Sequence, residues 1–337
     1  MFDDKFNYSK FISMKALNVS VTGASGFIGK NLIRKLLTLG CVVTILSRKK
    51  IESFEGVNHL NGDLTEKDCP LDEFLAGCDI LFHLAGEKNE KNKMANLHIE
   101  GTKKLIRAVG FEQIRAAKKI HWVQLSSCGA YGSRENYSWI EKIITEKTKL
   151  SPSNEYEITK AISDQLVING SKKHKFTFSI LRPSNVFGPN MSSGSLKIIF
   201  GRIPYYLLKA RLFFYLGSPG SMVNYVHIDD VVSALIALCF NLKARGEIYN
   251  LSNDCTVEAT AEKMAEILGV CKPKIRLPIA LIHSPLKLFS SALKHKVHIP
   301  TFEILLRRTK ISSNKIRLEL DFVFSKQMPE SIKDLYN

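Results

Sequence analysis

The 337-residue sequence has no stretch approaching the roughly 20 consecutive apolar residues that cross a bilayer as a helix. Its richest apolar run, Val231 to Phe240, is about a third to a half of that length and follows two aspartates, so it reads as a core helix. The first 15 residues mix Asp3, Asp4, Lys5 and Lys10 with phenylalanine and tyrosine. They contain no apolar centre of a signal peptide, and the expected location is cytoplasmic. The seven cysteines include no CxxC pair, which removes the usual spacing of metal and redox sites and leaves reduced, mostly buried thiols. There is no internal repeat and no low-complexity tract. Acid is scarce: 32 Asp+Glu face 48 Lys+Arg, a net charge of +16. The shortage is concentrated between Cys271 and Arg317, where eleven basic residues stand with one acid, Glu303, for a local balance of +10. Such charge favours anionic partners. No aromatic-basic module or zinc spacing accompanies it, so nucleic acid ranks last. A nucleotide diphosphate, an anionic membrane surface, or a merely solvated basic face remain.

What is present is ordinary for a globular enzyme: 45% hydrophobic and 24% charged residues. At roughly 150 residues per unit the length suits a core domain plus a lobe. Strands are predicted at Asn18–Thr22, Val42–Leu46, Val57–Asn61, Asp79–Leu84 and His121–Leu125. Helices are predicted over Ile28–Leu39 and Met94–Val109. Farther on come a helix over Tyr156–Ile168, strands at Thr177–Leu181 and Ile248–Leu251, and a Gly-, Pro- and Ser-rich stretch from Asn185 to Gly220. Alternation of this kind predicts an α/β class: a doubly wound parallel-sheet Rossmann fold with a smaller C-terminal substrate lobe. The division expected is an extension over 1–16, a dinucleotide-binding domain over 17–185 to which 223–251 returns, and a lobe built from 186–222 and 252–337.

The run Thr22-Gly-Ala-Ser-Gly-Phe-Ile-Gly29 follows a strand and opens a helix. Gly23 permits the tight turn, Gly26 lets backbone approach a pyrophosphate, and Gly29 lets helix and strand pack closely, with the helix N-terminus facing the phosphates. This GxxGxxG run resembles that of the extended short-chain dehydrogenase/reductases, the group that holds the NAD(P)-dependent nucleotide-sugar epimerases and dehydratases. The resemblance continues through Gly62-Asp-Leu64, His83-Leu-Ala-Gly86, Leu125-Ser-Ser-Cys-Gly-Ala-Tyr-Gly132, Tyr156-Glu-Ile-Thr-Lys160, Arg182-Pro-Ser-Asn-Val-Phe-Gly-Pro189 and Tyr225-Val-His-Ile-Asp-Asp230. It covers roughly residues 17 to 252.

The resemblance implies a catalytic trio of Ser127, Tyr156 and Lys160. Tyr156 and Lys160 stand four apart on a predicted helix and share a face. A neighbouring ammonium and a positively charged nicotinamide favour the phenolate, which serves as base toward a sugar hydroxyl that Ser127 orients. The candidate cofactor-binding set is Gly23, Ser25, Gly26, Phe27, Ile28 and Gly29, then Arg48, Asp63, Leu64, Leu84, Ala85, Gly86 and His98, with Tyr156, Lys160, Pro183, Asn185 and Val186. No metal site is expected. The second strand ends Leu46-Ser-Arg-Lys-Lys50, with no acid for a ribose 2′-hydroxyl and with Arg48 available to a 2′-phosphate, which favours NADP over NAD.

Four departures from the family pattern matter. Cys128 and Gly129 stand where dehydratases carry an acid pair, which downgrades water elimination. His98 replaces the asparagine of Asn-x-x-Gly-Thr. The link Glu87–Lys93 is short and charged. Met222-Val-Asn224 lacks the basic residue that meets a diphosphate, so that contact has to come from elsewhere, such as the basic C-terminal region. The expectation is an NAD(P)-dependent nucleotide-sugar epimerase, expected to be a homodimer. The alternatives are an NADPH-dependent ketoreductase of a keto-sugar or other small carbonyl compound, and a non-catalytic NADP-binding redox sensor.

Overall fold

Alternating apolar residues on both faces of Asn18–Thr22 leave Val19, Ser20, Val21 and Thr22 all buried, the mark of a strand covered on two sides. The computed structural model describes residues 17–51, 54–132, 141–189, 191, 215–216, 219–277 and 308–335. Within them this strand, β1, lies near the middle of a 7-stranded sheet. The others are β2 (Val42–Ser47), β3 (Val57–Asn61), β4 (Ile80–His83), β5 (His121–Leu125), β6 (Thr177–Pro183) and β7 (Glu247–Leu251). Their order is β7-β6-β5-β4-β1-β2-β3, every pair parallel. The direction of winding reverses between β1 and β4, and a ligand crevice is expected outside the carboxyl ends of the strands there.

Helices cover both faces, as parallel strands require. On one side lie α1 (Phe27–Thr38), whose Gly29, Leu32, Ile33 and Leu36 face the sheet, and the apolar helix over Ile228–Phe240. On the other lie α2 (Thr102–Arg115) and α3 (Glu155–His174), closing over Leu81, Trp122, Phe178 and Ile180. The apolar run 231–240 is thus the core helix that its length implied. Gly110 and Gly170 let α2 and α3 approach: a Cβ on Gly170 would meet Ile106 at 2.7 Å.

A smaller cluster gathers Phe187, Val223, Tyr225, Met264 and Ile332 around the helix Val257–Ile267. Short strand pairs join Asn185–Phe187 to Tyr225–His227 and Met222–Val223 to Cys255–Thr256. Ile316, Leu320 and Phe322 belong to the sheet's own core, so the chain's last described segment first closes back on the large domain before Met328 and Ile332 reach the smaller cluster. The extension 1–16 and most of the stretch 190–218 lie outside the described residues. Among those residues no helix is long and apolar enough to cross a membrane, and no group of His, Cys, Asp or Glu could hold a metal.

Candidate active site

The turn after β1 has the shape that its glycines predict. Gly23 sits at φ +72°, and a Cβ there would lie 2.6 Å from the Ala85 nitrogen. The Gly26 amide closes the turn on the Gly23 carbonyl at 3.1 Å. A Cβ on Gly29 would lie 2.3 Å from that carbonyl oxygen, so only glycine lets α1 seat against the turn. Gly26 caps α1 with no side-chain hydrogen bond, and no acid occupies its first turn, leaving the positive helix end to the crevice.

A cleft of about 430 Å³ opens there. Gly23, Ser25 and Gly26 line it, with Arg48 from the end of β2, Asp63 and Leu64 after β3, and Leu84, Ala85 and Gly86 after β4. Nine of the sequence-derived cofactor candidates therefore meet on one surface. Phe27, Ile28 and Gly29 stand behind it in α1, shaping the turn. Pro183 ends β6, and Asn185 and Val186 form the next short strand, where the Asn185 side chain donates to the Asn224 carbonyl at 3.3 Å. Arg48 is exposed at the cleft rim. The Asp63 carboxylate holds the Thr65 amide and hydroxyl, each at 2.8 Å.

The floor of the cleft is polar and satisfied. The Thr22 hydroxyl meets His83 Nδ1 at 2.7 Å and accepts the Ala85 amide at 3.2 Å. His83 Nε2 meets Thr102 Oγ1 at 3.1 Å. His98 does not line the cleft. Its Nε2 accepts the Glu87 amide at 2.8 Å, which places its proton on Nδ1, donated to Thr159 Oγ1 at 2.8 Å. It thereby ties the loop after Gly86 to α3. Burial, reinforced by the nearby Lys160 charge, pushes both imidazoles down to about 3, so both are neutral at physiological pH.

Ser127, Tyr156 and Lys160 come together at the carboxyl end of β5. Ser127 caps a short 3₁₀ turn, its Oγ accepting the Gly129 amide at 3.0 Å. Asn154 caps α3 through the Glu157 amide at 3.0 Å and so presents Tyr156 in the first turn. Lys160, one turn on, is buried and donates to the Leu125 carbonyl at 3.0 Å. A Cβ on Gly86 would lie 3.4 Å from its Nζ, so the lysine reaches the cleft wall. Burial lowers the ammonium to about 8.

Without the nicotinamide's charge, the phenol is governed by the chain alone. Burial pushes Tyr156 above its ordinary range, the Ser127 hydroxyl pulls it back, and Lys160 is not among the groups that bring it down. The chain's own groups therefore hold Tyr156 as the acid form. Cys128 is a buried thiol, as expected of most of the cysteines: it donates to the Arg182 carbonyl at 2.9 Å and is pushed far up by desolvation.

Sequence reading missed Thr22, Glu87, Asn92, Lys93 and Asn96 in the cleft. The last four belong to or follow the charged link, which carries no signal of which side chains turn inward. It also missed Asp164, although the i, i+4 spacing from Lys160 placed it on the same face. Of the basic window, residues 278–307 lie outside the described residues. Among the rest, Lys272 pairs with Glu262 at 2.7 Å, Arg276 with Glu258 at 2.5 Å, Lys310 with Glu141 at 2.8 Å and Lys315 with Glu247 at 2.5 Å. Much of the described part of the window is thus matched by acids brought from elsewhere in the chain.

A dinucleotide fits this arrangement: a glycine cradle that any Cβ would fill, an uncapped helix end, and a crevice at the switch point of a parallel sheet. The low-salt glycan biosynthesis protein Agl12 of Haloferax volcanii is 26% identical over 282 residues, spanning 77% of this chain and 85% of that protein. The 2-alkyl-3-oxoalkanoate reductase of Shewanella oneidensis is 25% identical over 77% of this chain and 67% of its own length. In fold, the chain is similar to the UDP-glucuronic acid 4-epimerase of Bacillus cereus solved with NAD, with a TM-score of 0.69 at 18% identity over 94% of this chain and 97% of that one. The model of the NAD-dependent epimerase/dehydratase family matches residues 19–252, and the chain belongs to that family, as an NAD(P)-dependent enzyme of the extended short-chain dehydrogenase/reductase type.

Proposed function

We propose that the protein is an NAD(P)-dependent epimerase of a nucleotide sugar, working through a transient keto-sugar, with Tyr156 as proton carrier and Ser127 and Lys160 as its partners. The observation that carries this reading is the meeting of those three side chains at the edge of the glycine-built cleft. Gly23, Gly26 and the amides of the first α1 turn would hold the pyrophosphate, and Lys160 the nicotinamide ribose. When bound, the cofactor supplies a hydride acceptor and donor. With the positive charge of the bound nicotinamide beside it favouring the phenolate, Tyr156 would take the proton of the reacting sugar hydroxyl, Ser127 would hydrogen-bond the same oxygen, and Tyr156 would return the proton once the keto-sugar has turned its other face. Asn224 stands where the family pattern has a basic residue, and its side chain donates to the Thr309 carbonyl at 2.8 Å. That contact brings neighbouring Arg308 to the lobe, as a candidate for the sugar-nucleotide diphosphate.

A second reading, an NADPH-dependent ketoreductase of a keto-sugar or other small carbonyl compound, is favoured by the acid form of Tyr156, ready to protonate a carbonyl oxygen. The similarity to an oxoalkanoate reductase supports it too. Mixing the protein with UDP- and dTDP-sugars and a trace of oxidised cofactor separates the two. The epimerase gives sugar interconversion with no net change in cofactor absorbance. The ketoreductase consumes NADPH mole for mole with a carbonyl substrate.

For the cofactor we infer NADP over NAD, because no acid ends β2 and Arg48 stands at the cleft rim. NADPH is expected to bind wild type roughly tenfold or more tighter than NADH, and Arg48→Ala to erase about a tenfold advantage, the worth of one charge-assisted contact. Equal affinities in wild type, or a preference untouched by Arg48→Ala, would refute the assignment.

A further inference from the structure

One helical turn beyond Lys160, Asp164 is buried with 1% of its surface exposed. A single oxygen, Oδ2, receives three donors: Ser126 Oγ at 2.8 Å and the Arg182 guanidinium at 3.0 Å through Nε and 2.9 Å through its terminal nitrogen. Arg182 is itself fixed, donating to Tyr131 Oη at 3.0 Å, which donates in turn to Asn250 Oδ1 at 2.8 Å. Oδ1 of Asp164 accepts no hydrogen bond among the described residues. Two adjacent residues of one strand end therefore grip the pair: the Leu125 carbonyl takes Lys160, and the Ser126 hydroxyl takes Asp164.

We propose that Asp164, clamped by Ser126 and Arg182, is a positioning residue that holds Lys160 at the Leu125 carbonyl beside the cleft. The other titratable groups facing Lys160 cannot do this. His83 from β4 and His98 from the turn before α2, which feel the lysine's charge, are neutral; Tyr156, one turn back on the same helix, has its phenol raised by burial, and Arg182 from β6, paired to Asp164, carries the same sign of charge. Burial draws the ammonium down, and Asp164 is the group that pushes it back up. Burial likewise raises the Asp164 carboxyl, while Arg182, Ser126 and Lys160 lower it, and three donors on one oxygen are the geometry of an ionised acid.

The inference rests on the reading of Lys160 as part of the reaction, so the test reads the lysine and the reaction separately. The Lys160 side-chain resonance, assigned through Lys160→Arg in protein labelled with ¹³C at lysine Cε, is titrated in wild type and Asp164→Asn. The alkaline limb of turnover is measured in parallel. Asp164→Asn is expected to lower the lysine transition by about one pH unit, since residues four apart on a helix are neighbours and a neighbouring opposite charge moves a buried group by roughly that much. The alkaline limb should move down with it. A lysine transition that stays in place would overturn the inference. A transition that moves while the limb does not would uphold Asp164's action on Lys160 and remove Lys160 from the proposed reaction. Should Asp164→Asn leave Arg182 too costly to bury for folding, Asp164→Asn with Arg182→Gln removes both charges, and its lysine transition is read in the same way.

Discussion

Tyr156→Phe is expected to reduce turnover by about 10²- to 10⁴-fold, the usual contribution of a placed acid–base group, with cofactor affinity close to wild type. The split follows from position. The ring stays in the first turn of α3, held by the Asn154 cap, and only the hydroxyl that faces Ser127 is lost. Lys160→Ala should lower turnover and cofactor affinity together, because Lys160 stands against both the Leu125 carbonyl and the Gly86 wall of the cleft. Steady-state kinetics beside fluorescence titration of the reduced cofactor measures the two quantities. Undiminished turnover in Tyr156→Phe would remove the catalytic reading and raise the redox-sensor one.

Gly29→Ala carries the second large effect. Its Cβ would lie 2.3 Å from the Gly23 carbonyl oxygen, where backbone and not a flexible side chain must yield. Either α1 lifts from the turn or the turn deforms, and both disturb the surface that meets the pyrophosphate. Overpacking of this kind costs about 1–3 kcal/mol. If that cost falls on the binding-competent form, cofactor affinity drops roughly 10- to 100-fold. Gly40→Ala is the control. Gly40 lies at φ +75° beyond the far end of α1, with nothing within 4 Å of an added Cβ. It should lower the melting temperature through backbone strain and leave cofactor affinity unchanged. Isothermal titration of both variants checks the contrast, and equal affinities would break the link between the third glycine and binding.

Local signals made much of this molecule legible. Asn18–Thr22 and His121–Leu125 have the bounds that their sequences predict, because a strand buried in a parallel sheet advertises both faces; Val57–Asn61, half-buried at the sheet edge, has its predicted bounds too. The glycine turn was legible because each glycine answers a steric demand within its own eight residues. Other features depend on distant partners. The helix predicted over Met94–Val109 begins earlier and contains a π turn at Asn96–Gly101, where His98 reaches Glu87 in one direction and Thr159 in the other. No local pattern encodes that detour. Burial, which sequence does not quantify, raises the phenol of Tyr156 in the chain alone, and the group that lowers it is Ser127 rather than Lys160, whose own hydrogen bond goes to Leu125. The basic window lost part of its charge to Glu141, Glu247, Glu258 and Glu262, acids whose approach depends on the fold.

The proposed epimerisation removes a hydride from a sugar carbon and returns it to the opposite face of the same carbon. Its most direct test follows a nucleotide sugar deuterated at the carbon that inverts, incubated with the protein and unlabelled oxidised cofactor and watched by proton NMR. Epimerisation gives interconversion of the two epimers with deuterium retained at the inverted carbon and none accumulating in the free cofactor. Loss of the label to the cofactor pool, or no interconversion alongside mole-for-mole oxidation of NADPH by a carbonyl compound, would contradict it.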